Sequence, residues 1–141
     1  MLYPPHDPPY RGNDASCVLR VEASGRSVLL PGDIDRRSEA LLVKEDAGLL
    51  AADILVAPHH GSATSSTAAF LQAVHPAYVL FPVGYRNRYG FPRKGVVARY
   101  AAEGARRLDA DRDGAISFRL GERPLRPVSY RRVARRYWND R

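Results

Sequence analysis

The sequence predicts an α/β fold of one domain, and three observations carry that reading. Short apolar runs alternate with segments of helical pattern, in the order β-β-α-β-α-β-α-β-β. Two of those runs, ending at Leu29-Leu30-Pro31-Gly32-Asp33-Ile34-Asp35 and at Ala57-Pro58-His59-His60-Gly61-Ser62, place polar, metal-capable side chains where a buried strand stops. The length of 141 residues, with 45% hydrophobic and 26% charged residues, suits a moderate core and excludes a disordered chain.

Cys17 to Glu22 reads as the first strand, with Cys17 in its apolar part and so part of the core. Ser24-Gly25 supplies a tight turn, and Ser27 to Leu30 returns as the second strand of a hairpin. Gly32 turns the backbone at the strand end. Asp35 caps a helix from Arg36 to Ala47 that presents Ala40, Leu41 and the Lys44 stem inward and stops at Gly48. Ala52 to Ala57 is nearly continuous in apolar residues, as a strand buried on both faces should be. Ser66 caps a helix from Thr67 to Val74, ended by His75-Pro76. Tyr78 to Phe81 forms the next strand and Lys94 to Glu103 the next helix, stopped by Gly104. Arg106 to Leu108 and Ala115 to Leu120 then form a last strand pair around the turn Asp111-Arg112-Asp113-Gly114. That turn imitates the start of a calcium loop, but Leu120 occupies the position where a bidentate Glu is required.

The ends differ in composition. Residues 1–12 form a Pro-rich extended leader, residues 13–121 the folded domain and residues 122–141 a basic tail with seven arginines from Arg123 onward. No apolar run approaches the roughly 20 residues of a membrane span, and the first ten residues lack the apolar stretch of a signal peptide. The chain therefore reads as soluble. Its single cysteine excludes an internal disulfide and a cysteine-based zinc site.

The net charge of +7 is concentrated in the tail and in the loop Tyr85-Arg86-Asn87-Arg88-Tyr89-Gly90-Phe91-Pro92-Arg93-Lys94. Basic residues interleaved with Tyr85, Tyr89, Tyr130, Tyr137 and Trp138 favour a phosphate-rich partner, against the plainer alternative of a solvated surface. Asp33 is a possible ligand for a divalent cation, against the alternative of a turn residue. His59 and His60 are a stronger pair: enclosed imidazoles need partners, and imidazole nitrogen is a preferred zinc or manganese ligand. Both rings cannot serve one ion in the same way, so one would bind metal or substrate and the other orient the loop. Ser62, Thr64, Ser65 and Ser66 are phosphate donors or, more plainly, loop and cap residues. His6 and His75 stand isolated and read as structural or surface residues.

Taken in order, the segments Asn13-Asp14-Ala15-Ser16, Leu29 to Ile34, Pro58 to Ser62, Val83 to Pro92 and Asp111 to Ile116 resemble the C-terminal part of ComEC proteins. These are membrane channels for DNA uptake in naturally competent bacteria, and their C-terminal domain resembles the metallo-β-lactamase fold, an αββα sandwich. The resemblance runs from about Asn13 to Phe118. It implies the C-terminal half of such a sandwich. It also implies a divalent metal, zinc or manganese, and hydrolysis of DNA phosphodiesters in an extracytoplasmic domain of an inner-membrane protein. Asp33, His59 and His60 would be its catalytic and metal-binding residues. Asn13, Asp14 and Ser62 would line the site edge, and Arg86, Asn87, Arg88, Arg93 and Lys94 would meet DNA, single-stranded or duplex.

Two departures follow from the same resemblance. The family's histidine-rich His-x-His-x-Asp-His segment is absent from these residues, and Phe91 stands where relatives often carry His. One Asp and two His are too few for a two-metal site, so the chain alone is expected to be inactive. A sheet face normally covered by the missing N-terminal half would be open to self-association. The alternatives are a non-catalytic DNA-binding module using the arginine-rich loop and tail, and an inactive gene remnant.

Overall fold

The computed structural model describes residues 2–3, 11–121 and 124–134. Its centre is a five-stranded mixed sheet in the order β1-β2-β3-β4-β5, formed by Leu19–Ala23, Arg26–Leu30, Ile54–Val56, Tyr78–Phe81 and Arg106–Asp109. β1 and β2 are an antiparallel hairpin, whereas β2, β3, β4 and β5 run parallel. Helices α1 (Arg36–Leu50), α2 (Ala68–Val74) and α3 (Lys94–Ala102) make the three crossovers.

All three helices pack on one face of the sheet. Leu29, Leu55, Val79 and Phe81 from the strands meet Leu42, Leu50, Phe70, Leu71, Val74, Val96 and Tyr100 from the helices in one core. Complete burial of each such side chain contributes about 1.5–3 kcal/mol. The opposite face is also apolar. Strand register places Leu19 beside Leu30, Val21 beside Val28, Ile54 beside Tyr78 and Val56 beside Leu80. The segment after β5 covers only part of this face: the Tyr78 hydroxyl donates to the Leu125 carbonyl (3.0 Å), and Phe118 meets the Tyr78 ring edge-on. At the β1 edge Leu19, Val21 and Leu30 remain 37–41% exposed. The sequence-based expectation of an open face thus holds for the hairpin side and fails for the β3–β5 side.

Several sequence-based boundaries need correction. The last two expected strands do not pair with each other. β5 is taken by β4, and the Asp113 carboxylate accepts from the Asp109 amide (3.1 Å), turning residues Ala110–Asp113 into a single helical turn, α4. Ile116–Ser117 (β6) instead pairs antiparallel with Val128–Ser129 (β7), which leads into the short α5 (Tyr130–Val133). Part of the expected basic tail therefore belongs to the fold, while residues 122–123 and 135–141, including Tyr137 and Trp138, lie outside the described residues. So do residues 4–10 of the Pro-rich leader, with His6. Helix α1 runs past Gly48 to Leu50, with a break in helical geometry at Asp46. Its inward face is Ser38, Glu39 and Leu42, while Ala40 and Lys44 are exposed. Thr67, not Ser66, caps α2. Cys17 is exposed, because the neighbouring Val18 takes the inward position and bridges to Tyr3. Among the described residues, no helix is long and apolar enough to cross a membrane.

Candidate functional site

Parallel strands β2, β3 and β4 end at one sheet edge, where open α/β sheets characteristically present their ligand sites. Asp33 follows β2. Its amide donates to Ser16 Oγ (3.1 Å), which fixes the strand exit. His59 and His60 follow β3, within the short turn Pro58–Gly61. Both histidines have left-handed backbone conformations, φ 48° and 54°, followed by Gly61 at φ 84°. Such geometry costs a non-glycine residue about 1–2 kcal/mol and persists only where surroundings enforce it.

The enforcing contacts are visible. The His59 amide donates to the Gly32 carbonyl (3.0 Å), joining the β2 and β3 exits. The Arg93 amide donates to the Gly61 carbonyl (3.0 Å), joining the β3 and β4 exits. A Cβ on Gly61 would stand 2.7 Å from Pro92 Cβ and 2.8 Å from Phe81 Cε1, so glycine is required for this approach. Ser65 Oγ shares its hydrogen between the Pro58 and Ser62 carbonyls.

A buried network anchors the far end of the same loop. Glu39 of α1 is fully buried, and its carboxylate accepts from the amides of Ser66 and Thr67. Burial pushes its carboxyl above the ordinary 4.5, partly offset by those amides and by Arg99. Arg99 donates to the Ser66 and Ser65 carbonyls (2.7 and 2.9 Å), and the Tyr100 hydroxyl meets Ser66 Oγ (3.0 Å). Burial also pushes the Tyr100 hydroxyl upward. Sequence reasoning overlooked Glu39. Its signal was an acidic residue at a helix position that the burial of Leu42 also marks as inward.

The two histidines differ chemically. His60 Nδ1 lies 3.0 Å from the Pro82 carbonyl, which only accepts, so Nδ1 carries a proton. In the neutral ring Nε2 is then the free acceptor, and it faces Asp33 Oδ1 at 3.7 Å. Two donors that each sit about 2.0–2.2 Å from one ion are separated by about 3–4 Å, so this pair has suitable spacing. His59 Nδ1 instead meets the Asn13 side-chain nitrogen at 3.3 Å. As acceptor from that amide, the neutral ring carries its proton on Nε2. Among the described residues no three His, Cys, Asp or Glu side chains converge. Asp33 and His60 thus fall short of the three or four protein ligands of a zinc site. Asp14 accepts from Ser38 Oγ (2.8 Å), and the Ser62 hydroxyl pairs with Thr64 (3.1 Å).

Asp33, His59 and His60 line a cavity of about 470 Å³ together with Pro82, Val83, Gly84, Asn87, Tyr89 and Phe91. Asn87 closes the basic loop on itself: its side-chain oxygen accepts from the Phe91 amide (2.9 Å) and its nitrogen donates to the Phe91 carbonyl (2.8 Å). Guanidinium groups lie over rings nearby, Arg86 over Tyr85 (5.2 Å), Arg88 over Tyr89 (5.0 Å) and Arg93 over Phe91 (5.4 Å). Lys94 begins α3.

No family model matches the chain. It is 41% identical over 129 residues to a competence protein, ComA, of Neisseria gonorrhoeae, an alignment that covers 92% of this chain and 18% of that protein. It is 31% identical over 123 residues to ComE operon protein 3 of Bacillus subtilis, covering 87% of the chain and 16% of the relative. An uncharacterized protein of Escherichia coli, YcaI, is 31% identical over 121 residues, covering 86% and 16% respectively. The chain is thus a relative of competence proteins and spans less than a fifth of the length of these curated relatives.

Proposed function

We propose that this chain is the DNA-handling segment of a DNA-uptake protein and contributes Asp33, His59 and His60 to a metal-dependent phosphodiesterase site. The observation that carries the proposal is the Asp33–His60 pair at 3.7 Å, set in a cleft whose lining rings Tyr89 and Phe91 lie under the guanidinium groups of Arg88 and Arg93. Its similarity to competence proteins supports a role in DNA uptake and so the choice of DNA as the proposed substrate. In this reading zinc or manganese would sit at Asp33 and His60. His59, with its proton on Nε2, would donate to a phosphate oxygen. Among the described residues these do not form a full ligand set, so further ligands would come from outside the described residues, a portion of a longer parent protein included. The exposed β1–β2 part of the outer sheet face would pack against that same missing portion, completing a metallo-β-lactamase-like sandwich of an extracytoplasmic domain.

The test is incubation of the 141-residue chain with linear DNA and manganese or zinc. The expected outcome is salt-sensitive retention of DNA without degradation. Degradation that disappears in Asp33→Ala would show that the site is already complete and overturn the shared-site reading. Failure to retain DNA at low salt would overturn DNA handling altogether.

A second reading is a non-catalytic DNA-binding module, favoured by the self-contained clamp of the arginine loop. It is distinguished in a longer protein that carries the remaining ligands. There, full DNA turnover in Asp33→Ala and His60→Ala would favour the module over the hydrolase.

A further inference from the structure

We infer that the loop between β4 and α3 binds an unpaired nucleic-acid strand, with bases stacking on Tyr85 and against the Tyr89–Phe91 wall and phosphates meeting Arg86, Arg88 and Arg93. The inference rests on the DNA reading above and goes beyond it by choosing single strand over duplex.

Three observations carry it. First, the loop holds out aromatic surface that the core does not use. Tyr85 is 65% exposed and Tyr89 57% exposed. With this exposure Tyr85 keeps ring surface free even though Arg86 lies over it. A duplex hides its base faces and presents phosphates and groove edges, for which cations and hydrogen-bond donors suffice. An unpaired strand offers π-faces, and positively charged grooves with stacking rings are the usual answer to it.

Second, the aromatic wall continues into the cleft. Tyr89 and Phe91 stack at 5.8 Å with 21° between their planes, and Phe91 meets the His59 ring edge-on at 6.0 Å. The cavity that they line with Asp33 and His60 has a volume of about 470 Å³. That falls within the roughly 300–1,000 Å³ range of pockets for single small molecules. A volume of this size accommodates a single nucleotide.

Third, the display is preformed. The two Asn87–Phe91 hydrogen bonds and the Arg93–Gly61 bond hold the loop before any ligand arrives, so binding does not have to order it.

The test measures fluorescence anisotropy of three labelled probes of equal length: oligothymidine, an abasic strand of the same charge, and a blunt duplex. Wild type is expected to bind oligothymidine at least about tenfold more tightly than the abasic strand. Tyr85→Ala with Tyr89→Ala should erase that difference, while the two Tyr→Phe changes preserve it. Melting curves of each variant confirm that it is folded. Equal affinity for the thymidine and abasic strands overturns the inference and leaves DNA handling intact. So does tighter binding of the duplex that the alanine changes do not alter. Binding to none of the probes overturns both readings. Loss of binding to phosphatidylglycerol vesicles in the alanine variants, with oligothymidine binding unchanged, would reassign the rings to a membrane surface and overturn the inference.

Discussion

Two loops leave adjacent parallel strands at the same edge and are held by opposite means. The loop after β3, carrying His59 and His60, is fixed from below. Its end is gripped by Glu39, Arg99 and Tyr100, all distant from the loop in sequence, and its middle depends on Gly61 fitting against Phe81 and Pro92. The loop after β4, carrying Arg86 and Arg88, is fixed largely by itself, through the reciprocal bonds of Asn87 and Phe91. Chemistry needs reactive atoms within a fraction of an ångström, and buried cross-element bonds supply that. A surface that meets a long polyanion needs charge and ring area held outward, which a local clamp supplies with the side chains still in water.

This difference is broken most severely at Gly61. The Gly61→Ala methyl has no room beside Phe81 and Pro92, and the backbone is left-handed there. Overpacking costs about 1–3 kcal/mol and the conformation about 1–2 kcal/mol more. Urea unfolding should therefore show a loss of about 2–5 kcal/mol. Gly90→Ala in the neighbouring loop also has positive φ, but its Cβ meets nothing closer than 3.6 Å. It should lose only the conformational part.

Glu39 offers an effect of comparable size. Removing its carboxylate in Glu39→Ala strands the Ser66 and Thr67 amides, at about 1–3 kcal/mol for each buried group left unsatisfied. Its pH dependence is more telling. Burial raises the folded-state proton affinity, so the native state binds this proton more tightly than the unfolded chain does. That contribution is complete below 4.5 and disappears as pH rises through the folded value. Glu39→Gln lacks it. Across unfolding titrations at a series of pH values, wild type should gain on Glu39→Gln as pH falls toward 4.5. A gap moving the other way would mean that the two amides outweigh burial.

The same contrast explains what the sequence made legible. The strand–helix alternation up to Gly104 was readable because each segment announces itself through local apolar pattern and caps; Asp35 does accept from the Arg37 amide (2.9 Å) as its position suggested. The placement of Asp33 and of His59-His60 at strand ends was readable because they follow apolar runs directly. What escaped was non-local. The phase of α1 was misplaced because a buried glutamate is compatible with the fold only through amides 27 and 28 residues away. The β6 partner lay in a stretch that resembled a charged tail. The different hydrogen bonding of His60 and His59 depends on Pro82 and Asn13, each distant in sequence from its ring.

Asn87→Ala sharpens the comparison at a smaller scale. It removes two hydrogen bonds that lie within the basic loop, each contributing about 0.5–1.5 kcal/mol. The stability loss should be about 1–3 kcal/mol, without effect on the Glu39-anchored loop. Hydrogen exchange should show faster exchange at the Phe91 amide and unchanged protection at the Ser66 and Thr67 amides.

The smallest effect on stability belongs to Arg86→Ala with Arg88→Ala, and it separates the loops most cleanly. Among the described interactions these guanidinium groups contact Tyr85 and Tyr89, residues of the loop itself, with Arg88 donating to the Tyr89 hydroxyl (2.9 Å). Exposed changes of this kind usually alter stability by no more than about 0.5 kcal/mol. If each arginine meets one phosphate, its loss lowers the slope of log affinity against log salt by about 0.7 for a single strand and about 0.9 for a duplex. The expected result is an unchanged urea midpoint and a salt slope shallower by about 1.4 on oligothymidine. A shifted midpoint would show that this loop, too, is built into the fold. An unchanged slope with an unchanged midpoint would place the phosphate contacts on other cations, with Arg93, Lys94 and the described arginines of α5 next to be removed.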